Sequence, residues 1–174
     1  MLKNNNVFLV GPMGAGKTTI GRFLAERLDL EFVDLDTEIE DRCGADIPWI
    51  FDVEGEDGFR KRESRMLNEV TSRRGILLAT GGGAVLTKSN RDVLKQRGYV
   101  VYLSASVGQL VERTAHDRNR PLLQVDNPRE VIEKLISDRD PLYQEVADLV
   151  VITERKKPQL VAEDIVSEVR QLMG

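Results

Sequence analysis

A glycine-rich loop between an apolar strand and an amphipathic helix constrains this chain most. Residues 7–28 read VFLVGPMGAGKTTIGRFLAERL and contain the pattern G-x-x-x-x-G-K-[ST] at Gly11, Gly16, Lys17 and Thr18. Glycines at these positions allow successive backbone N–H groups to point at an anion, and the helix that follows adds the positive end of its dipole. The strand, loop and helix together predict a phosphate-binding cradle.

The polar side chains of this loop fit a nucleoside triphosphate. The amine of Lys17 can bridge the outer phosphates, and the hydroxyl of Thr18 can bind Mg²⁺. A helix that merely follows a glycine turn would need neither side chain. The sequence therefore predicts that the protein binds a nucleoside triphosphate together with Mg²⁺.

The pattern of apolar residues predicts an α/β fold. Strand-like runs alternate with helix-period segments, which favours a parallel sheet with helices on both faces, a three-layer arrangement. The chain has 174 residues, a length typical of one domain, so a single domain over residues 1–174 is expected. The five predicted strands are 7–10, 31–36, 75–80, 99–105 and 149–153.

Charge and cysteine content narrow the possible partners. The formal net charge is −4, which argues against binding nucleic acid through overall electrostatics. The only cysteine, Cys43, cannot form a disulfide within the chain. No apolar run is long enough to cross a membrane, and the first residues, MLKNNN, lack the apolar core of a signal peptide. We therefore expect a cytoplasmic protein without nucleic-acid or membrane partners.

Two carboxylates lie at the C-terminal end of the second predicted strand. Asp34 and Asp36 are two residues apart, so in a strand they would face the same side, at the end where open α/β sheets bind ligands. Thr37 and Glu40 have the spacing of a capping box, which leaves Asp36 available for another task. We expect one carboxylate near the metal ion and Asp36 beside an acceptor hydroxyl that it orients or deprotonates.

Arginines and glycines indicate where the acceptor binds. The stretches GFRKRE, RNRPLL and SDRDPLY contain Arg60, Arg120 and Arg139. We expect these arginines at element ends or in loops, where their planar guanidinium groups suit carboxylates and phosphates. The run Gly81–Gly83 follows the third strand and lets a ligand approach the backbone closely. These residues predict a small, anionic acceptor that carries a hydroxyl group.

Two stretches are predicted to be irregular surface segments because they are rich in glycine or in polar residues. They are 44–58, GADIPWIFDVEGEDG, and 114–128, TAHDRNRPLLQVDNP. In addition, the pair Asp140–Pro141 is predicted to end a helix near Arg139, because proline disfavours helical geometry in the residue before it.

Three other functions are considered as alternatives: a switch that binds a partner or nucleic acid, another small-molecule kinase, and a regulatory ATP-binding module. DVEG at 52–55 superficially resembles a GTPase switch motif, but the Asn-Lys-x-Asp pattern that reads guanine is absent from the sequence. A switch that binds nucleic acid or a protein partner is disfavoured by this absence and by the charge. A gluconate or nucleotide kinase would not need a pair of arginines for a carboxylate. A regulatory ATP-binding module would be expected to lack Asp36 or the arginines.

Six motifs in this order and spacing resemble the shikimate kinase family of aromatic amino-acid biosynthesis. They are GPMGAGKTTIG, DLD, GFRKRE, TGGG, RPLL and RDPLY, and they extend over nearly the whole chain. The resemblance implies a P-loop fold of the nucleoside-monophosphate-kinase type, with a five-stranded parallel sheet in the order 2-3-1-4-5. It also implies the conversion of ATP and shikimate to ADP and shikimate 3-phosphate, and we expect the protein to be a monomer.

The resemblance further implies a role for each matching residue. Lys17, Asp36 and Arg120 would be catalytic, while Thr18 would bind Mg²⁺ directly and Asp34 would contact it in the outer sphere. The implied shikimate site consists of Asp36, Arg60, Gly81, Gly82 and Arg139. The implied ATP site consists of Gly14, Ala15, Gly16, Lys17, Thr18, Thr19, Arg113, Arg120 and Lys156.

Two segments complete this picture. The resemblance implies a substrate-binding segment at about 37–62 and a lid at about 113–125, with Arg113 over the adenine and Arg120 meeting the phosphates. Glu63 would hold the arginines in place. The match is loosest around TERKKPQ, where Lys156 and Pro158 would contact the adenine.

Overall fold

The structure, a computed structural model, describes residues 4–115, 126–154 and 156–174. The strands are β1 (Val7–Val10), β2 (Glu31–Asp34), β3 (Ile76–Ala79), β4 (Tyr99–Ser104) and β5 (Leu149–Ile152). The helices are α1 (Lys17–Leu28), α2 (Leu35–Cys43), α3 (Ile47–Val70), α4 (Lys88–Arg97), α5 (Val107–Thr114), α6 (Pro128–Val146) and α7 (Pro158–Met173). A short 3₁₀ helix spans Ala84–Leu86.

The five strands form one parallel sheet in the order β2-β3-β1-β4-β5. This confirms the predicted fold class and strand order. β1 is the central strand, and its four residues are fully buried, because helices cover it on both faces. All strands end at the same edge of the sheet, so the loops after β1, β2 and β3 lie side by side there.

Alternating side chains of the sheet build two separate cores. Val7 and Leu9 of β1 belong to a cluster with residues of α1, α5 and α7. Phe8 and Val10 belong to a second cluster with residues of α2, α3, α4 and α6. The predicted three layers are therefore present, with helices packed on each face of the sheet.

The stretch 44–58 is mostly helical from Ile47 onward, so the prediction of an irregular segment was wrong for most of it. α3 begins at Ile47 because the side chain of Asp46 accepts a hydrogen bond from the backbone N–H of Trp49 at 3.0 Å, and a proline occupies the first turn. Gly55, with φ 72° and ψ 179°, is not helical and divides α3 into two helical segments at a kink. As a result Arg60 lies within a helix and not at the end of one.

The prediction that a helix ends near Arg139 was also wrong. α6 continues through Pro141 to Val146. A proline inside a helix removes one hydrogen bond, but the buried face of α6 continues past it with Tyr143 and Val146. Packing of these side chains in the second core favours the continued helix. Arg139 therefore projects from the interior of α6.

Candidate active site

The loop between β1 and α1 has the geometry of an anion cradle. Gly14 and Gly16 have φ values of 82° and 95°, a region that favours glycine. A methyl group at Gly14 would also lie 2.9 Å from Cγ2 of Thr114. No side chain among the described residues caps the N-terminus of α1, so its first backbone N–H groups are available to an anion.

Lys17 is the first residue of α1, and its side chain folds back over the loop. Its amine donates hydrogen bonds to the carbonyl oxygens of Gly11 at 2.6 Å and of Pro12 at 2.9 Å. These contacts hold the positive charge at the mouth of the cradle. The arrangement can neutralise the outer phosphates of a nucleotide that the loop binds.

Thr18 and Asp34 meet beside the loop. The hydroxyl of Thr18 donates to Oδ2 of Asp34 at 3.0 Å, and Oδ1 of the same carboxylate accepts from the backbone N–H of Thr37 at 3.1 Å. Asp34 is therefore both the last residue of β2 and the N-cap of α2. Hydroxyl and carboxylate oxygens are the ligands that Mg²⁺ prefers.

This geometry corrects two predictions. The second strand ends at Asp34, and Asp36 lies in the first turn of α2 instead of extending the strand. Thr37 and Glu40 do not cap α2, because Asp34 does so and Oε2 of Glu40 accepts from the backbone N–H of Ile47. α2 begins closer to the strand than predicted because Asp34, which has an extended backbone, accepts a hydrogen bond from one of the unpaired N–H groups in the first turn of the helix.

Asp36 nevertheless reaches the edge of the sheet where the loop after β3 begins. A methyl group at Gly81 would lie 3.0 Å from Oδ1 of Asp36 and 3.2 Å from Oε2 of Glu63. The absence of a side chain at Gly81 thus leaves room for both carboxylates. Asp36 is half-buried, whereas Glu63 is fully buried.

Arg60 and Glu63 form an ion pair one turn apart on α3. Nη1 of Arg60 donates to Oε1 of Glu63 at 2.9 Å, and the side chains are 16% and 0% exposed. Within the described residues, Nε of Arg60 and Oε2 of Glu63 are buried without a hydrogen-bond partner. Burial raises the pKa of the Glu63 carboxyl, while the charge and hydrogen bond of Arg60 oppose that rise.

Arg139 approaches the same place from α6. It is 5% exposed, and a methyl group at Gly82 would lie 3.5 Å from its Nη1. A methyl group at Gly83 would in turn collide with the guanidinium of Arg60. The glycine run therefore separates two guanidinium groups that face it from different helices.

The predicted residues gather around a cavity of about 200 Å³ at this edge of the sheet. Its lining consists of Gly14, Gly16, Lys17, Thr18, Thr19, Asp34, Asp36, Thr80, Gly81 and Gly82. Ala15 is buried beneath the loop. The cradle and the candidate acceptor carboxylate thus share one cavity, with Arg60 and Arg139 adjoining it at the glycine run.

A second, larger cavity of about 930 Å³ adjoins the loop at α5. Arg113 connects the two, because it lines this cavity and its Nη1 donates to the carbonyl of Gly14 at 2.9 Å. The other described lining residues are Ser106, Gly108, Gln109, Glu112 and Glu154.

One predicted adenine contact does not line these cavities. The amine of Lys156 pairs with Asp164 on α7 at 3.4 Å and is absent from the described lining. Arg120 and residues 116–125 of the predicted lid lie outside the described residues.

Sequence reasoning missed Tyr143, whose hydroxyl donates to the carbonyl of Gly82 at 2.5 Å. One signal was available, because Tyr143 follows Arg139 by four residues and so shares its face of a helix. The predicted end of the helix near Arg139 concealed this relationship.

The sequence profile of shikimate kinase matches residues 13–170. A shikimate kinase of Vibrio cholerae serotype O1 is 57% identical over 166 residues, which cover 95% of each chain. The chain belongs to the shikimate kinase family. A shikimate kinase of Pasteurella multocida (strain Pm70) is 55% identical over the full length of both chains.

A solved structure agrees with this assignment. The shikimate kinase from Acinetobacter baumannii in complex with shikimate superposes with a TM-score of 0.95 at 53% identity, over 97% of this chain and 94% of that one. The predicted family resemblance is therefore confirmed. The shikimate kinase fold extends over nearly the whole protein.

Proposed function

We infer that the protein transfers the γ-phosphoryl group of ATP to the 3-hydroxyl of shikimate, giving ADP and shikimate 3-phosphate. Membership of the shikimate kinase family supports this reaction. One structural observation carries the assignment of the site: the phosphate-binding loop and Asp36 line the same cavity of about 200 Å³. A donor phosphate and an acceptor hydroxyl can therefore meet there.

We propose that the loop after β1 binds the ATP phosphates through the backbone from Gly14 to Thr19. Lys17 would balance negative charge that shifts toward the bridging oxygen during transfer, since phosphoryl transfer depends mainly on positioning and electrostatics. Arg113 would lie over the adenine in the larger cavity. Its hydrogen bond to Gly14 supports this role by fixing the guanidinium next to the loop.

Mg²⁺ is proposed as the cofactor. The hydroxyl of Thr18 and the carboxylate of Asp34, 3.0 Å apart, are oxygen ligands that suit it. In the part of the chain that the structure describes, no three His, Cys, Asp or Glu side chains form a metal site. This fits Mg²⁺, which is commonly held by one or two protein oxygens together with substrate phosphates. When bound, it would neutralise charge on the phosphates.

We propose that Arg60 and Arg139 bind the carboxylate of shikimate, with backbone N–H groups of Gly81 and Gly82 as further donors. The burial of Nε of Arg60 without a described partner supports this, because buried donors are generally satisfied once a ligand is present. Asp36 would accept a hydrogen bond from the ring hydroxyls and take the proton of the attacking one. Its closeness to Gly81 and its position in the lining of the cavity that the phosphate loop shares support this role.

Several roles stay predictions from the family resemblance alone. Arg120 would meet the phosphates during transfer as part of a lid at about 113–125. Lys156 would contact the adenine, for which it would have to leave Asp164. The substrate-binding segment at about 37–62 would belong, with the lid, to one domain over residues 1–174.

We further propose that the protein acts as a monomer in the cytoplasm, without nucleic-acid or membrane partners. The formal net charge of −4 disfavours nucleic acid. No helix in the described part of the chain is long and apolar enough to cross a membrane.

Release of ADP from ATP tests the proposal when it is measured with shikimate, with quinate, with gluconate and without an acceptor. We expect rapid release with shikimate alone, and loss of that release when EDTA removes Mg²⁺. Release that does not depend on the acceptor would instead indicate an ATPase and overturn the acceptor half of the proposal. Sedimentation of the same sample tests the monomer.

A further inference from the structure

Tyr143 is a buried residue of α6 that lies directly behind the glycine run. It is 1% exposed and belongs to the second hydrophobic core. Its ring packs on that of Tyr102 with 4.9 Å between centroids. Because it follows Arg139 by four residues on the same helix, the two side chains project from one face of α6.

The hydroxyl of Tyr143 joins two of the proposed shikimate contacts. It donates a hydrogen bond to the carbonyl of Gly82 at 2.5 Å. Arg139 faces the same glycine, since a methyl group there would lie 3.5 Å from Nη1. A tyrosine hydroxyl can donate one hydrogen bond and accept others, so it can also accept from Arg139.

The ionisation of this hydroxyl agrees with that arrangement. Burial raises the pKa of Tyr143 to about 12, and the nearby charge of Arg139 acts against the rise. The hydroxyl therefore keeps its proton near neutral pH. It remains a donor to Gly82 and leaves its oxygen able to accept from the guanidinium.

Packing alone does not require this hydroxyl, because phenylalanine would fill nearly the same volume. The neighbouring Tyr102 makes the comparison direct. It is buried in the same cluster and packs on the same ring, but its hydroxyl donates to Oδ1 of Asp140 at 2.7 Å. Of these two hydroxyls, that of Tyr143 contacts the glycine run and that of Tyr102 does not. Removing each hydroxyl in turn therefore distinguishes an effect on core packing from an effect on the position of Gly82.

We propose that Tyr143 is a positioning residue for the substrate carboxylate, because its hydroxyl holds the Gly82 backbone and the Arg139 guanidinium in one fixed arrangement. The inference rests on the proposed function, which assigns Gly82 and Arg139 to shikimate. Tyr143 itself does not touch the substrate. Its effect is on how well the two groups are arranged before shikimate binds.

Steady-state kinetics of Tyr143→Phe and of its matched control Tyr102→Phe test this role. We expect Tyr143→Phe to raise KM for shikimate about tenfold, a size typical of leaving a buried acceptor, here the Gly82 carbonyl, without its partner. Its kcat should stay within about twofold, and KM for ATP should not change, because uniform substrate binding is lost. Tyr102→Phe should leave all three constants near those of the wild type. Equal values of KM for shikimate in the two variants would overturn the proposal.

A double-mutant cycle separates positioning from a general loosening of the core. In an Arg139→Ala background, Tyr143→Phe should raise KM for shikimate by clearly less than tenfold, since one of the two groups that it positions is gone. If the tenfold effect persists in that background, the hydroxyl acts independently of Arg139 and the proposal fails.

A measurement on the wild-type sequence covers the case in which Tyr143→Phe does not fold. The chain has three tyrosines, so incorporation of 3-fluorotyrosine gives three ¹⁹F signals, which Tyr99→Phe and Tyr102→Phe assign. Shikimate should shift the signal of Tyr143 more than that of Tyr102, and the reverse order would count against the proposal. A failure of the proposed function would look different, because wild-type protein would then release no ADP in response to shikimate.

Discussion

Oε1 of Glu63 accepts a hydrogen bond from Nη1 of Arg60 at 2.9 Å, although no part of the Glu63 side chain is exposed. A buried carboxylate is costly unless a positive group compensates it. The charges of Arg60 and Arg139 lower the pKa of Glu63, whereas burial and the charge of Asp36 raise it. Burial is the largest of these effects, and the net pKa is raised. The charges of the proposed acceptor site therefore affect the stability of the fold through the pKa of Glu63.

Glu63→Gln should alter how stability depends on pH. A carboxyl whose pKa is raised in the folded protein contributes stability below its ordinary pKa of 4.5 and loses it as pH rises through the folded value. The variant lacks this loss, so its free energy of unfolding should improve relative to wild type as pH rises from about 4 to 8. Urea unfolding at several pH values measures the difference.

Glu69→Gln is the matched control for that series. Glu69 is an exposed carboxylate whose pKa is lowered, chiefly by its hydrogen bond to Arg42. Its replacement should therefore produce a small trend of the opposite sign. If Glu63→Gln shows no pH trend in its free energy of unfolding, or the same trend as Glu69→Gln, the result contradicts a raised pKa for the buried Glu63 carboxyl.

Gly83→Ala should displace the guanidinium of Arg60. The φ of −99° at Gly83 is open to any residue, so glycine is needed there only for space. A methyl group would lie 2.6 Å from Cζ of Arg60. Because hydrogen bonds to charged groups contribute about 1.5–3 kcal/mol, we expect KM for shikimate to rise about tenfold or more.

An Arg60→Ala background provides the control for this effect. If Gly83 acts through Arg60, Gly83→Ala should add little once the guanidinium is absent. Initial rates are measured for the wild type, Gly83→Ala, Arg60→Ala and the double variant, and they show whether the two effects on KM for shikimate are additive. Fully additive effects would show that Gly83 is needed for some other reason.

Lys17→Met should abolish turnover and leave the fold intact. The variant keeps the helix-forming side-chain length but removes the charge that lies over the phosphate loop. Loss of one group that stabilises transition-state charge typically costs about 100-fold or more in kcat. Lys88→Met, at an exposed lysine of α4 paired with Asp92, is the matched control and should turn over normally. Near-normal kcat in Lys17→Met would remove the basis of the cradle assignment.

Asp36→Asn separates a catalytic base from a carboxylate that only orients the substrate. A general base contributes about 100-fold or more to the rate, so kcat should fall by that amount if Asp36 takes the proton. A rise in KM with kcat unchanged would mean that Asp36 positions shikimate and nothing more. Asp92→Asn, at an exposed carboxylate on α4, controls for the loss of negative charge.

The sheet could be predicted because its signals are local and strong. Five apolar runs marked the strands, and the positions of β1, β3, β4 and β5 agree with prediction to within about a residue at each end. β2 is shorter than predicted because Asp34 caps α2 and so ends the strand two residues early. The strand order came from the family resemblance, since long-range pairing leaves no trace in local periodicity.

The helices of the acceptor side were harder to predict. Glycines at 55 and 58 suggested irregular structure, but packing of Ile50 and Phe59 in the second core favours helical segments on both sides of the kink at Gly55. The same holds for Pro141 in α6. Arg60 and Arg139 were expected at element ends, yet both converge on the glycine run from helix interiors.

The role of Tyr143 lay beyond the sequence for a related reason. Its hydrogen bond joins residues that are 61 positions apart, and only the packing of α6 against the end of β3 brings them together. Glu63 was identified through the family resemblance. Its burial and raised pKa depend on neighbours from two other elements, so no local pattern could reveal them.

The position of the phosphate in the product tests the central claim most directly. Wild-type protein is incubated with ATP, Mg²⁺ and shikimate, and the product is examined by ¹H–³¹P correlation NMR. Phosphate coupled to the proton on C3 of the ring is the predicted result, because Asp36 would present that hydroxyl to the phosphate loop. Phosphate on another hydroxyl, or ADP formed without phosphorylated shikimate, would contradict the account.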